Sequence, residues 1–127
     1  MFRRIIPSIS VAAVALLVAA CGSPAESGGQ GADEETAPKI AFFGYAAANS
    51  WAQATFDGIE EAAKEHGGTA KFLDGAFDAS AQVAQLQDAV VSGQYNIFVV
   101  QANSGEAVAS QVEKAIKAGI VVVAVDT

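Results

Sequence analysis

The sequence predicts an α/β fold, a doubly wound parallel sheet with strands in the order 2-1-3-4, and three observations carry that expectation. From Lys39 onward, short apolar runs alternate with longer stretches of helical periodicity, which is the signature of successive βαβ units. The later runs, "NIFVVQ" and "IVVVAV", are nearly unbroken in apolar residues, as strands covered on both faces are. Right-handed crossovers leave few windings for such units, and a common one sets the first strand between the second and the third.

Each element has its own signals. The strands are read at Ile40 to Gly44, Thr69 to Asp74, Asn96 to Gln101 and Ile120 to Val125. The first helix is expected to begin near Ser50, where Ser50 and Gln53 have capping-box spacing. It turns Thr55, Ile59, Ala62 and Ala63 inward and stops at Gly67-Gly68. The second is capped by Asp78 or Ser80, sets Val83, Leu86 and Val90 on one face and stops at Gly93. The third opens over Asn103 to Glu106, presents Val108, Val112, Ala115 and Ile116 to the core and ends at Gly119. With this winding one helix alone crosses one face of the sheet, so part of strands three and four is expected to be bare there.

The segment before Lys39 is of another kind. Arg3 and Arg4 precede a mostly apolar run from Ile5 to Leu17, and the small residues Val18, Ala19 and Ala20 lead into Cys21. Residues 1–20 therefore read as a secretion signal, too short to span a bilayer comfortably. The sole cysteine, Cys21, stands where a signal peptidase would cut, so "VAACGS" resembles the lipobox of bacterial lipoproteins, with Cys21 as the lipidated mature terminus. Residues 21–38 then form an acidic, Gly- and Ser-rich stretch without a large apolar side chain, which reads as a disordered tether with a reach of roughly 20–25 Å.

Charge and motif content narrow the function. Removing residues 1–20 takes away two of the 7 basic residues and none of the 14 acidic ones, which leaves a surface that repels nucleic acid. No Gly-x-x-x-x-Gly-Lys loop is present, the stretch after the first strand, "GYAAANSW", has only Gly44, and no Gly-x-Ser-x-Gly elbow follows a strand. The single histidine, His66, falls in the last turn of the first helix, where an imidazole suits the helix dipole. No His or Cys cluster offers a metal site. The reading is therefore a binding protein, not an enzyme, with no cofactor and no metal.

In an open parallel sheet the ligand edge lies beyond the carboxyl ends of the strands. The segments "GYAAANSW", "QANSGE" and "DT" end there, and they supply Tyr45, Asn49, Trp51, Gln101, Asn103 and Asp126 as candidate ligand-binding residues. Amides and a carboxylate satisfy sugar hydroxyls as donors and acceptors, and an indole covers the C–H face of a sugar ring. Structural roles compete for several of them: Asn49, Ser50 and Asn103 are also good helix caps, and Trp51 also suits packing on the sheet.

Over residues 39–127 the stretches "KIAFFGYAAANSWAQATFDGIEEAAKEHG", "NIFVVQANSGEAVASQVEKAIKAGI" and "VVVAVDT" resemble the N-terminal lobe of type I periplasmic binding proteins of the ribose and galactose group. The resemblance implies a solute-binding protein of an ABC importer that holds a monosaccharide or similar small polar solute in a cleft between two lobes. Permease subunits would be its partners, and it would sit outside the cytoplasm, anchored to the membrane through Cys21. It also implies that Asn49, Trp51, Gln101 and Asp126 stand at ligand-contacting positions. The chain departs from the pattern at Ser50 and Ala52, which replace the family's proline and second aromatic, and at Thr127, where some sugar binders carry arginine. In that family the chain passes to a second lobe after strand four, so 39–127 reads as an incomplete first lobe. The rival functions are a chemosensory or other non-transport accessory protein and a hydrolase on the same fold.

Overall fold

The computed structural model describes residues 36–126; the signal segment 1–20, Cys21, the tether as far as residue 35, and Thr127 lie outside the described residues. The described chain runs β1 (Lys39–Gly44), α1 (Ser50–Glu65), β2 (Thr69–Asp74), α2 (Ala79–Ser92), β3 (Ile97–Val100), α3 (Gly105–Lys117) and β4 (Val121–Ala124). All strand pairs are parallel and the order is β2-β1-β3-β4, as the sequence predicts. Ala37 and Pro38, expected to close the tether, already belong to the sheet end: Pro38 O accepts from Thr69 N at 2.8 Å and Ala37 O from Asn96 Nδ2 at 3.1 Å.

The strand pleat sorts the core into two layers. Ala41, Phe43, Phe98 and Val100 face α2 and α3, where Leu86, Ala89, Val108 and Ala115 close over them. Phe42 and Val99 face α1, which meets them with Ala52, Phe56 and Ile59. Phe42, Phe56 and Phe72 form one aromatic group, with Phe72 edge-on to both partners at centroid distances of 5.1 and 5.4 Å. One helix on this second face does not reach β4, and Val121 and Val123 stay 59% and 46% exposed there.

The caps refine the helix starts. Asn49, not Ser50, caps α1: its Oδ1 accepts from Ala52 N at 2.9 Å, while Gln53 reaches back to donate to Ala47 O at 2.9 Å. The buried stripe of α1 is accordingly Ala52, Phe56, Ile59 and Ala63, with Thr55 half-buried and Ala62 exposed. The ring of Phe56 outweighs the small Thr55 because it buries far more apolar area against Phe42 and Phe72. Asp78 caps α2 through Ser80 N at 2.7 Å and Ala81 N at 3.2 Å, and Gly93 ends it at φ 61°. Ser104 caps α3, whose first helical residue is Gly105, and Ile116, expected inward, is 58% exposed. The inward stripe of α3 runs through Val108, Gln111, Val112 and Ala115, which leaves Ile116 on the flank.

Candidate functional site

Because all four strands are parallel, their carboxyl ends deliver the four following segments to one edge. Tyr45 and Asn49 arrive from β1, Gln101 and Asn103 from β3, and Asp126 from β4, with Trp51 in the first turn of α1. Four of the six are joined by hydrogen bonds. Tyr45 N donates to Gln101 Oε1 at 3.1 Å, Gln101 Nε2 faces Asp126 Oδ2 at 3.5 Å, and the Tyr45 hydroxyl donates to Asp126 O at 3.1 Å. Asn103 Nδ2 donates to Tyr45 O at 3.2 Å.

The other two stand apart. Asn49 commits its Oδ1 to the cap of α1, and Trp51, 47% exposed, has no hydrogen bond or ring contact to the Tyr45–Asp126 group among the described residues. Asp126 is exposed and its backbone is left-handed, at φ 50°, a conformation that aspartate tolerates better than most side chains. Gln101 is the opposite case: it has no exposed surface at all.

Beneath this edge lies a residue that an apolar stripe does not reveal. Gln82, in the first turns of α2, is fully buried, and its amide spans the space between β1 and β3. Nε2 donates to Gln101 O at 2.9 Å and to Phe43 O at 3.3 Å, while Oε1 accepts from Asn103 N at 2.8 Å. The side chain thus holds the loop after β3 against the end of β1. Its spacing to Leu86 and Ala89 was the available signal, because 82, 86 and 89 follow the helical stripe.

The loop after β2 is bound to the same edge. Asp74 Oδ1 accepts from Ala47 N and from Ala76 N, both at 2.9 Å, so one carboxylate fastens the β1–α1 loop to the β2–α2 loop. Gly75 is required between them: a Cβ there would lie 2.6 Å from both Asn103 Nδ2 and Gly44 O. Ala76 and Phe77 follow at φ 49° and 57°, and Phe77 stands 63% exposed. Two successive left-handed non-glycine residues are costly and persist only where neighbours fix them. Here the Phe77 N to Tyr45 O bond at 2.8 Å and the Asp74 clasp supply that constraint.

Chemically, the edge offers an exposed carboxylate, an exposed indole and a set of amides already engaged with backbone. A carboxylate accepts from hydroxyl groups and an indole face suits C–H surface. Among the described residues no group of three or more His, Cys, Asp or Glu is placed to hold a metal ion.

The family described as "Periplasmic binding protein domain" matches residues 40–127. No curated protein matches the chain. Among solved structures, an ABC transporter solute binding protein from Mycobacterium smegmatis with bound glycerol is 28% identical with a TM-score of 0.63, over 71% of this chain and 31% of that one. One from Clostridium phytofermentas with bound L-rhamnose is 21% identical with a TM-score of 0.64, over 72% and 29% of the two chains. The Caulobacter myo-inositol binding protein, bound to myo-inositol, is 22% identical with a TM-score of 0.64, over 72% and 31%. The chain thus spans under a third of the length of these structures.

Proposed function

The chain belongs to the periplasmic binding protein domain family, and from that premise we propose that it is the extracytoplasmic solute-binding lipoprotein of an ABC importer, taking a monosaccharide or small polyol. The observation that carries this reading is the exposed carboxylate of Asp126, fixed at the carboxyl end of β4 on the same edge as the exposed indole of Trp51. A carboxylate accepts from two hydroxyls at once, as vicinal diols offer them. The glycerol held by the 28% identical Mycobacterium smegmatis protein supports a polyhydroxylated solute.

In this reading residues 39–127 form part of a first lobe, and the solute lies between that lobe and a facing lobe whose closure an ABC permease senses. Titration calorimetry in a protein carrying the facing lobe tests it. Asp126→Ala is expected to weaken binding by roughly 10–100-fold, since a charge-assisted hydrogen bond is worth about 1.5–3 kcal/mol. Gln101→Ala is expected to cost less, roughly 2–10-fold. Equal and unchanged affinities would remove Asp126 from the site.

Anchoring rests on Cys21. Two acyl chains, at about 0.8 kcal/mol per buried methylene, give stable membrane attachment where one chain is marginal. Mass spectrometry of the mature N-terminus is expected to find a lipidated Cys21, and Cys21→Ala is expected to block cleavage of the precursor by the lipoprotein peptidase. An unmodified terminus at any other residue overturns the anchor.

A further inference from the structure

We propose that Tyr45 and Gln101 are positioning residues for Asp126, and that Gln101 does not itself meet the solute; this rests on the reading above, in which Asp126 is the solute contact. Gln101 has no exposed surface, and both ends of its amide are turned inward, Oε1 to Tyr45 N at 3.1 Å and Nε2 to Asp126 Oδ2 at 3.5 Å. An amide that water does not reach is closed to a sugar hydroxyl. Its main chain is equally fixed, with Gln101 N donating to Phe43 O at 2.9 Å and Gln101 O accepting from Gln82 Nε2 at 2.9 Å.

Asp126 needs such support. The last backbone bond between β3 and the β4 segment is Val125 N to Val100 O at 3.0 Å, and one residue later the chain turns left-handed at φ 50°. Beyond that bond the contacts holding Asp126 among the described residues are the Tyr45 hydroxyl on its carbonyl, at 3.1 Å, and the Gln101 amide beside its carboxylate. Tyr45 acts twice, because its N–H also orients the Gln101 side chain that faces the carboxylate. Contacts at 3.1 and 3.5 Å are long for strong hydrogen bonds, so their effect is to select one orientation of an exposed acid rather than to bury it.

The test uses nuclear magnetic resonance on the full chain with Tyr45→Phe and Gln101→Met, which keep ring and length but remove the two donors. In both variants the Cα and Hα shifts of Asp126 are expected to leave their left-handed values, while the amide signals of Leu86 and Val108 stay in place and report an intact core. Unchanged Asp126 shifts in both variants overturn the proposal. A second arm follows the shifts on addition of glycerol, L-rhamnose and myo-inositol. Tyr45→Phe is expected to weaken the response about 5-fold, and Asp126→Ala roughly 10–100-fold. If Asp126→Ala responds as the parent does, the reading of Asp126 as the solute contact fails, and the conformational arm still decides whether Tyr45 and Gln101 fix its geometry.

Discussion

Replacing Gln82 with methionine is expected to lower the unfolding free energy by about 2–6 kcal/mol, a large share of the roughly 5–15 kcal/mol that holds a domain together. Methionine keeps the length and much of the volume, so the loss isolates the hydrogen bonds from packing. Without the amide, Asn103 N loses its acceptor and Gln101 O loses its donor, both under the strand ends. Each buried group left unpaired costs about 1–3 kcal/mol, and Phe43 O is spared because it still accepts from Gln101 N. Urea unfolding of parent and variant measures the difference, with an unchanged slope showing that the native fold persists. A change below about 1 kcal/mol would mean that water replaces the amide and that the space is not dry.

Gln82 also marks what a sequence does not disclose. The strand Thr69–Asp74 and the order β2-β1-β3-β4 were legible, because apolar runs bounded by glycines and the handedness of crossovers act locally and leave few alternatives. Polar residues in the core leave a fainter trace, since a place on the helical stripe, as position 82 has with Leu86 and Ala89, does not by itself mark a glutamine as buried. Gln82, Gln101 and Gln111 are buried, and composition offers no reason to set them apart from exposed glutamines such as Gln87 and Gln94. The face of α1 was misplaced for a related reason: Thr55 and Ala62 satisfy the helical period nearly as well as Phe56 and Ala52, and tertiary contact with Phe42 decides between them.

The candidate edge was legible as a place, since in a parallel sheet the strand ends set it. The tasks of its side chains were not. Asn49 and Ser50 are both good cap residues, and only the backbone path shows that Asn49 Oδ1 takes Ala52 N. Asp74, which the sequence places only as the end of the second strand, joins two loops through Ala47 N and Ala76 N. Such roles depend on chain segments far apart in sequence, and no spacing rule encodes them.

The bare part of the sheet has a consequence in solution: the chain by itself is expected to self-associate through β4, and Val121→Lys with Val123→Lys to weaken that association by roughly 10²–10³-fold. The register Ile97↔Val121 and Val99↔Val123 puts both valines on the face that α1 covers, yet they stay 59% and 46% exposed. On the opposite face Val122 is packed into the core, so the exposure comes from the missing cover and not from a frayed strand. Among the described residues β4 is an edge strand as well, and its sequence from Val121 to Ala124 carries no lysine, proline or acid to obstruct pairing. Full burial of a valine, the smallest of the large aliphatic side chains, is worth about 1.5–2 kcal/mol, and burying the exposed half of two valines on each of two copies gives about 3–4 kcal/mol. That figure corresponds to the stated change in dissociation constant. The net charge of −7 slows encounter between copies, and salt at about 0.15 M screens it beyond about 8 Å. Sedimentation equilibrium of the parent and the double-lysine variant over a range of concentrations reads the effect directly. A parent that stays monomeric at millimolar concentration would show that this face tolerates water without a partner, and the valines would then be expected to have no more influence on solution behaviour than any scattered surface residue.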